Sequence, residues 1–144
     1  MNVLFVDAGN YCRSPVAEIV ARAFADRAGL QRQHSFGSAG LKNKHAGDTA
    51  DPRSIEACAE RGYDLTQFRC REISEQDFRS ASLILAMDRD NLAQLEARRP
   101  DGVFVPIRLF LHDTEVPDPY YGGADGFAMM MTQIEAGVRS LLST

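Results

Sequence analysis

The sequence predicts an α/β fold with parallel strands, on three observations. Apolar runs rich in β-branched residues alternate with segments of helical periodicity. The first and third runs, residues 3–6 and 82–87, are nearly continuous in hydrophobicity, as strands covered on both faces are. The junction after the first run, from Asp7 to Ser14, is a short Gly/Asn loop leading into a Ser-Pro helix start. It falls beyond the carboxyl end of a strand, where such sheets bind ligands.

Taken in order, Val3, Leu4, Phe5 and Val6 read as the first strand. Ser14 is placed to cap the following helix and Pro15 suits its first position. Val16, Ile19, Val20, Ala23 and Phe24 then recur at helical spacing up to Gly29. Residues 34–39 form the second strand. A helix opens at Asp51-Pro52, turns Ile55, Cys58 and Ala59 inward and stops near Gly62. Residues 82–87 are the third strand, and a helix opening at Asp88 uses Leu92 and Leu95 before Pro100 ends it. Residues 103–107 are the fourth strand. The last helix, residues 125–142, carries Phe127, Met130, Met131, Ile134, Val138 and Leu141 on one stripe, with the run 129–131 read as core filling. Crossovers between such strands are right-handed. Two irregular stretches, 40–50 and 110–124, exceed the length of simple connectors and are marked as functional.

At 144 residues the chain is expected to be a single domain, 1–144, with 44% hydrophobic and 25% charged residues. Its formal net charge of −4 argues against nucleic acid or an anionic membrane surface as partner. No apolar run approaches the roughly 18 residues of a membrane span. Met1-Asn2 leads directly into a strand, so no leader is expected. Cys12, Cys58 and Cys70 are odd in number and lack a CxxC spacing, so neither a disulfide framework nor a metal site is expected. The chain reads as cytoplasmic, reduced and free of cofactors.

The 7–14 stretch carries the chemistry. Transfer of a phosphoryl group needs donors for its equatorial oxygens, an in-line attacker and a proton for the leaving oxygen. Ala8, Gly9, Asn10, Tyr11 and Cys12 offer backbone N–H groups ahead of a helix N-terminus, with Gly9 and Asn10 suited to left-handed conformations. Arg13 offers a bidentate fork, and the Ser14 hydroxyl can cap the helix or point toward residue 7. No GxxxxGK[ST] is present, which excludes a nucleotide P-loop. Asp118 lies in a loop with a proline after it and Tyr120 and Tyr121 beside it, which makes it a rigid acid candidate or a plain Asp-Pro turn.

These residues resemble the low-molecular-weight protein tyrosine phosphatases, whose signature is a nucleophilic Cys, five residues, then Arg-Ser-Pro. Here the motif reads Asp7, five residues, Arg13-Ser14-Pro15. Ser38-Ala39-Gly40, Ala50-Asp51-Pro52-Arg53, Asp77-Phe78, Met87-Asp88 with Asn91, and Asp118-Pro119-Tyr120-Tyr121 follow in the family's order over nearly the whole chain. The resemblance implies a four-stranded parallel sheet flanked by helices on both faces, with the phosphate-binding loop after the first strand. It also implies metal-free hydrolysis of phosphotyrosine through a phosphocysteine. By that likeness Asp118 is the general acid and then the base. Tyr120 and Tyr121 flank the aryl group, Lys44 and His45 line the facing wall, and Tyr11 adds an apolar wall. Partners are phosphotyrosine proteins, among them a bacterial tyrosine kinase, with phosphate or another oxyanion in the loop.

Asp7 departs from that pattern. Its carboxylate is an anion in a nest built for anions, so it is expected to fold into the cradle, compete with substrate and repel a dianion. Three readings stand. Asp7 is a substitution that removes the nucleophile or imitates an oxidised cysteine, it marks a natural inactive relative, or it attacks as a carboxylate. The first is favoured, an engineered or otherwise crippled phosphatase. Cys12 is five positions late and is expected to point away as a small packed thiol, with Cys58 and Cys70 packed in helix and loop. The competing functions are an arsenate reductase of the same fold and a non-catalytic phosphotyrosine-binding pseudophosphatase.

Overall fold

A computed structural model describes residues 1–143. In chain order the elements are β1 (Asn2–Asp7), α1 (Arg13–Ala28), β2 (Ser35–Gly40), α2 (Pro52–Glu60), α3 (Glu75–Ser80), β3 (Leu83–Ala86), α4 (Arg89–Arg98), β4 (Ile107–Leu109), a 3-10 turn (Pro119–Tyr121) and α5 (Ala124–Leu142). The strands form one parallel sheet in the order β2-β1-β3-β4.

Alternation along the two inner strands builds a core on each face. Val3 and Phe5 of β1 and Leu85 of β3 pack with Val16, Val20, Met130, Met131, Ile134 and Val138 of α1 and α5. Leu4 and Val6 of β1 and Ile84 and Ala86 of β3 face the other way, onto Phe78, Leu95, Val103 and Val105. Both pleat faces are therefore apolar, which explains the unbroken hydrophobic runs in the sequence. Because β1 is interior, its carboxyl end at Asp7 opens between the loops that follow β2 and β3.

Several sequence expectations are corrected. The fourth strand lies later, at Ile107–Leu109, and not at 103–107. Val103 and Val105 are apolar because they pack in the second core. Their carbonyls accept hydrogen bonds from Nη1 of Arg99, at 3.3 Å and 2.6 Å. Pro106 has no N–H to donate. Helix α3 was not foreseen; its signal is the capping box of Ser74 with Asp77. On α2 the buried residues are Ser54 and Cys58, and Ala59 is exposed. Met129 is 58% exposed, so only Met130 and Met131 fill the core. Finally, α1 begins at Arg13 and puts Pro15 third, because its first turn is capped by a group other than Ser14.

Candidate active site

The capping group is Asp7. Its side chain is 2% exposed, and its carboxylate accepts the N–H groups of Asn10 at 2.6 Å, Arg13 at 3.1 Å and Ser14 at 2.9 Å. Cys12, the N-cap residue by backbone, makes no side-chain cap. The positive end of α1 thus rests on a carboxylate held seven residues upstream of Ser14, at the tip of β1. Two donors of the helix start and one of the loop are satisfied in this way.

The loop is shaped by Asn10 and by Gly40. Asn10 takes the left-handed conformation, with φ 55°, whereas Gly9 does not. That corrects the expectation that both would. The Asn10 amide donates to Ser14 Oγ at 2.9 Å and Ser38 Oγ at 3.0 Å, and its oxygen accepts the N–H of Arg71 at 2.8 Å. Those bonds fix the loop against β2 and make up for the positive φ. Ser38 Oγ in turn donates to Glu18 Oε1 at 2.7 Å, and burial pushes the Glu18 carboxyl up against the opposing pull of Ser38 and Arg22. At Gly40 a Cβ would lie 2.6 Å from the Gly9 carbonyl carbon and 2.7 Å from the Asn10 nitrogen. Only glycine allows β2 to pass that close.

Arg13 is buried and anchored. Nη1 donates to Asp88 Oδ2 at 2.7 Å and to the Val116 carbonyl at 2.9 Å. Asp88 also caps α4 by accepting the Asn91 N–H at 2.7 Å, so it is fixed itself. Nη2 lies 3.6 Å from Asp118 Oδ2. Among the described residues Nε has no hydrogen-bond partner. Burial works against the charge, but Asp7 first, then Asp88 and Asp118, hold the guanidinium protonated. The Nε–Nη2 edge, with no hydrogen bond at Nε and only the 3.6 Å ion pair to Asp118 at Nη2, is therefore the less committed face of a fork whose other end is tied down.

A cavity of about 170 Å³ opens at this point. Asp7, Ala8, Gly9, Tyr11, Cys12 and Arg13 line it from the loop. Lys44 and His45 enter from the segment after β2, and Asp118, Tyr120 and Tyr121 from the segment after β4, at the other edge of the sheet. Asn10 and Ser14 do not line it and act as scaffold behind the loop. Among the described residues the N–H groups of Ala8, Gly9, Tyr11 and Cys12 have no protein acceptor. Tyr11 and His45 stack with centroids 3.7 Å apart and planes 5° from parallel. Tyr120 sits 6.2 Å from Tyr11 and 4.8 Å from Tyr121 by ring centroids.

The acid-bearing segment is held from α2. Asp51, at the N-cap of α2, accepts the Arg53 N–H at 2.9 Å and the Arg53 guanidinium at 3.1 Å and 2.7 Å. Burial opposes ionisation of Asp51, yet these bonds hold its carboxyl below the usual range. Arg53 Nη1 donates to the Tyr120 carbonyl at 2.9 Å, and its guanidinium lies 5.2 Å from the Tyr120 ring centre and 4.7 Å from that of Phe127. Asp118 Oδ1 accepts the Tyr120 N–H at 3.0 Å. The Cys12 thiol donates to Asp51 Oδ2 at 3.4 Å, and burial followed by Asp51 pushes it far up. It is inert by protonation yet borders the cavity, rather than pointing wholly away. Cys58 packs against Met131 with its thiol pushed up by burial to about 12, and Cys70, bonded to the Thr49 carbonyl, to about 11.

Sequence reasoning missed the parts played by Lys42, which lines the cavity, and by Asp51, Arg53 and Asp88 as anchors. The only signal for Lys42 is compositional, since Lys42 and Lys44 are the sole lysines of the chain. Among the described residues no group of three or more His, Cys, Asp or Glu is gathered as a metal site, and no helix is long and apolar enough to cross a membrane.

Residues 2–144 match the family described as low molecular weight phosphotyrosine protein phosphatase. A Synechocystis sp. protein, itself a candidate low molecular weight protein-tyrosine-phosphatase, is 40% identical over 151 aligned positions, covering 100% of this chain and 96% of that one. The low molecular weight phosphotyrosine protein phosphatase of Schizosaccharomyces pombe is 38% identical, covering 93% and 90% respectively. Among solved structures, the protein tyrosine phosphatase of Entamoeba histolytica with Hepes in the active site superposes with a TM-score of 0.93 at 35% identity, covering 99% of this chain and 95% of that one.

Proposed function

The chain belongs to the low molecular weight phosphotyrosine protein phosphatase family, and from that premise we propose that the cradle holds the phosphoryl group of phosphotyrosine proteins, with Asp7 standing where the family's catalysis uses a cysteine. A tyrosine kinase of a bacterial cell, itself phosphorylated on tyrosine, is one such partner.

The observation that carries this reading is Arg13. Its Nη1 is committed to Asp88 and Val116, which leaves Nε and Nη2 to receive two oxygens of an oxyanion. The unpaired N–H groups of the loop supply the remaining donors. Tyr11, Tyr120 and Tyr121 offer aromatic faces to an aryl ester. Asp118, close to Nη2, is the group to protonate the departing phenolate and then to activate water, a course that needs no metal.

The first step suffers from Asp7. Both of its oxygens are bonded to N–H groups of Asn10, Arg13 and Ser14. A carboxylate so bound is a weak nucleophile and repels an incoming dianion. As it stands, the chain keeps the binding machinery of a phosphatase with hydrolysis strongly impaired. Asp7→Cys should raise hydrolysis of an aryl phosphate by several orders of magnitude, about 10³-fold or more. No gain would mean that the rest of the site is incompetent too.

The same three bonds favour a second reading, a phosphotyrosine-binding protein without turnover. Titrating a phosphotyrosine peptide against the chain and its Asp7→Asn variant separates the two effects of the carboxylate. Tighter binding by the amide shows that Asp7 competes with the ligand, and equal affinity places it outside the ligand's reach. Arsenate reduction has less support, because Cys58 and Cys70 are buried thiols with raised pKa values. Arsenate-dependent oxidation of a thiol reductant by the Asp7→Cys chain would revive it.

A further inference from the structure

Of the sixteen lysine and arginine residues in the chain, fourteen are arginine and two are lysine. Both lysines line the one cavity beside the cradle. They are exposed, and among the described residues neither ammonium has a hydrogen-bond or ion-pair partner. The Lys42 backbone N–H donates to the Ala8 carbonyl at 2.9 Å, so the root of this pair is tied to the loop while the charged heads are free.

The two kinds of cation suit different tasks. Arg13 presents a rigid planar fork at a fixed depth, the geometry for a phosphoryl group. A lysine is a hydrated point charge on a flexible stem, able to follow a carboxylate whose position varies from one peptide to another. The setting sharpens this difference. The net charge of −4 disfavours acidic segments over the chain as a whole, so the lysine pair is a local exception at the cavity mouth. The segment entering from the other sheet edge brings Asp118, a negative charge. A phosphorylated segment crossing the mouth therefore meets cations on the side of residues 42–44 and an acid on the other.

We infer that Lys42 and Lys44 select phosphotyrosine segments that carry an acidic side chain beside the phosphorylated residue. The inference rests on the oxyanion reading of the cavity given above. It differs from a general attraction of the lysines for phosphate, which would favour every phosphotyrosine peptide equally.

The test compares two phosphotyrosine peptides of equal length, one flanked by Glu and one by Gln. Their affinity ratio is measured by fluorescence anisotropy on the chain as it stands, and their kcat/KM ratio on the Asp7→Cys chain. At low ionic strength the Glu peptide should be favoured about three- to tenfold in both, and about 0.5 M salt should erase most of the preference. In the Lys42→Met, Lys44→Met double variant, which keeps the apolar stems, the ratio should fall to about one. A ratio below about two in the lysine-bearing chain, or one that survives the double substitution, overturns the inference. An Asp7→Cys chain that hydrolyses both peptides equally well overturns the lysine selection alone. A chain that binds neither peptide, with an Asp7→Cys variant inert toward aryl phosphate, overturns the oxyanion reading and this inference with it.

Discussion

The cradle and the acid-bearing segment face each other across one cavity and are built on opposite plans. In the cradle the polar side chains are sealed, with Asp7 and Arg13 at 2% exposure and Asn10 and Ser14 at 0%. Each is tied in place: Asp7 by N–H groups of the loop and the start of α1, Asn10 by Ser38 of β2, Ser14 by Asn10, and Arg13 by Asp88 after β3 and Val116 after β4. Across the cavity the Asp118 side chain is 42% exposed and Tyr121 is 91% exposed. That segment hangs from the Val116 anchor at one end and from Arg53 at the Tyr120 carbonyl. Donors that stabilise charge work best when fixed in advance and kept from water. In the role proposed for Asp118, a group that passes a proton to a leaving group and then draws in water needs contact with both. The contrast makes one side of the site sensitive to folding and the other sensitive to placement.

The strongest way to break the cradle is Arg13→Met. It removes the two bonds to Asp88 and Val116 and leaves the Asp88 carboxylate without its cation. Breaking one partner of a buried pair costs about 3–5 kcal/mol, trimmed here because Asp88 is 21% exposed. Urea denaturation should show a loss near the lower end of that range, and tungstate binding should disappear. A loss below about 1 kcal/mol would mean that the cradle stands without this arginine.

Gly40→Ala comes next and probes the loop without touching a polar group. The added carbon must displace the Gly9–Asn10 backbone, which lies within 2.7 Å. Overpacking of this kind costs about 1–3 kcal/mol. Because the displaced atoms are the loop itself, oxyanion affinity should fall along with stability. Unchanged affinity would show that the loop yields without losing its donors.

Arg53→Met tests the other side. The Arg53 side chain is 43% exposed, but its substitution leaves the Asp51 carboxylate, 2% exposed, without its cation, so stability should fall by about 1–2 kcal/mol, less than for Arg13→Met. In the Asp7→Cys background it should nevertheless lower kcat for a phosphotyrosine peptide more than it raises KM, by about tenfold, because the Tyr120 carbonyl and with it Asp118 lose their tether. An unchanged kcat beside that loss of stability would put Arg53 with the cradle and dissolve the comparison.

The same division decides what was legible in the sequence. Hydrophobic pattern located β1, β2, β3 and four of the five helices, because burial on one or two faces leaves a periodic trace. It misplaced β4, since the apolar residues Val103 and Val105 serve a core while their carbonyls serve Arg99. Helix α3, with one buried residue, left only its cap as a signal. In the site, the seven residues from Asp7 to Arg13 are contiguous and readable as an anion loop. The anchors of that loop come from far along the chain, Asp88 being 75 residues from Arg13 and Val116 being 103. No local pattern encodes such pairings. The expected Ser14 cap fails for the same reason: the rule for helix starts looks at neighbours, and Asp7 reaches the helix through the fold.

The smallest expected effect is one of pH, and it separates two carboxyls, half-buried Glu18 and buried Asp51, by sign. Glu18, behind the cradle, has its pKa raised by burial, so the folded state favours the neutral acid. Its stabilising contribution is complete below the usual 4.5 and is lost as pH rises through the raised folded value. Asp51, which anchors the acid segment, has its pKa lowered by the Arg53 bonds that outweigh burial. Its contribution is present above the usual 3.8 and is lost as pH falls through the lowered folded value. The amide variants mimic the neutral forms. At pH 7, Glu18→Gln should therefore be at least as stable as the parent, and Asp51→Asn less stable. Both differences should shrink toward zero as the pH is lowered, for Glu18 by about pH 4 and for Asp51 only below the ordinary aspartate range. Urea midpoints at pH 7, 4 and 3 read both. Glu18→Gln destabilising at pH 7 would show that the bonds from Ser38 and Arg22 outweigh burial there, and that the back of the cradle is held by a charge after all.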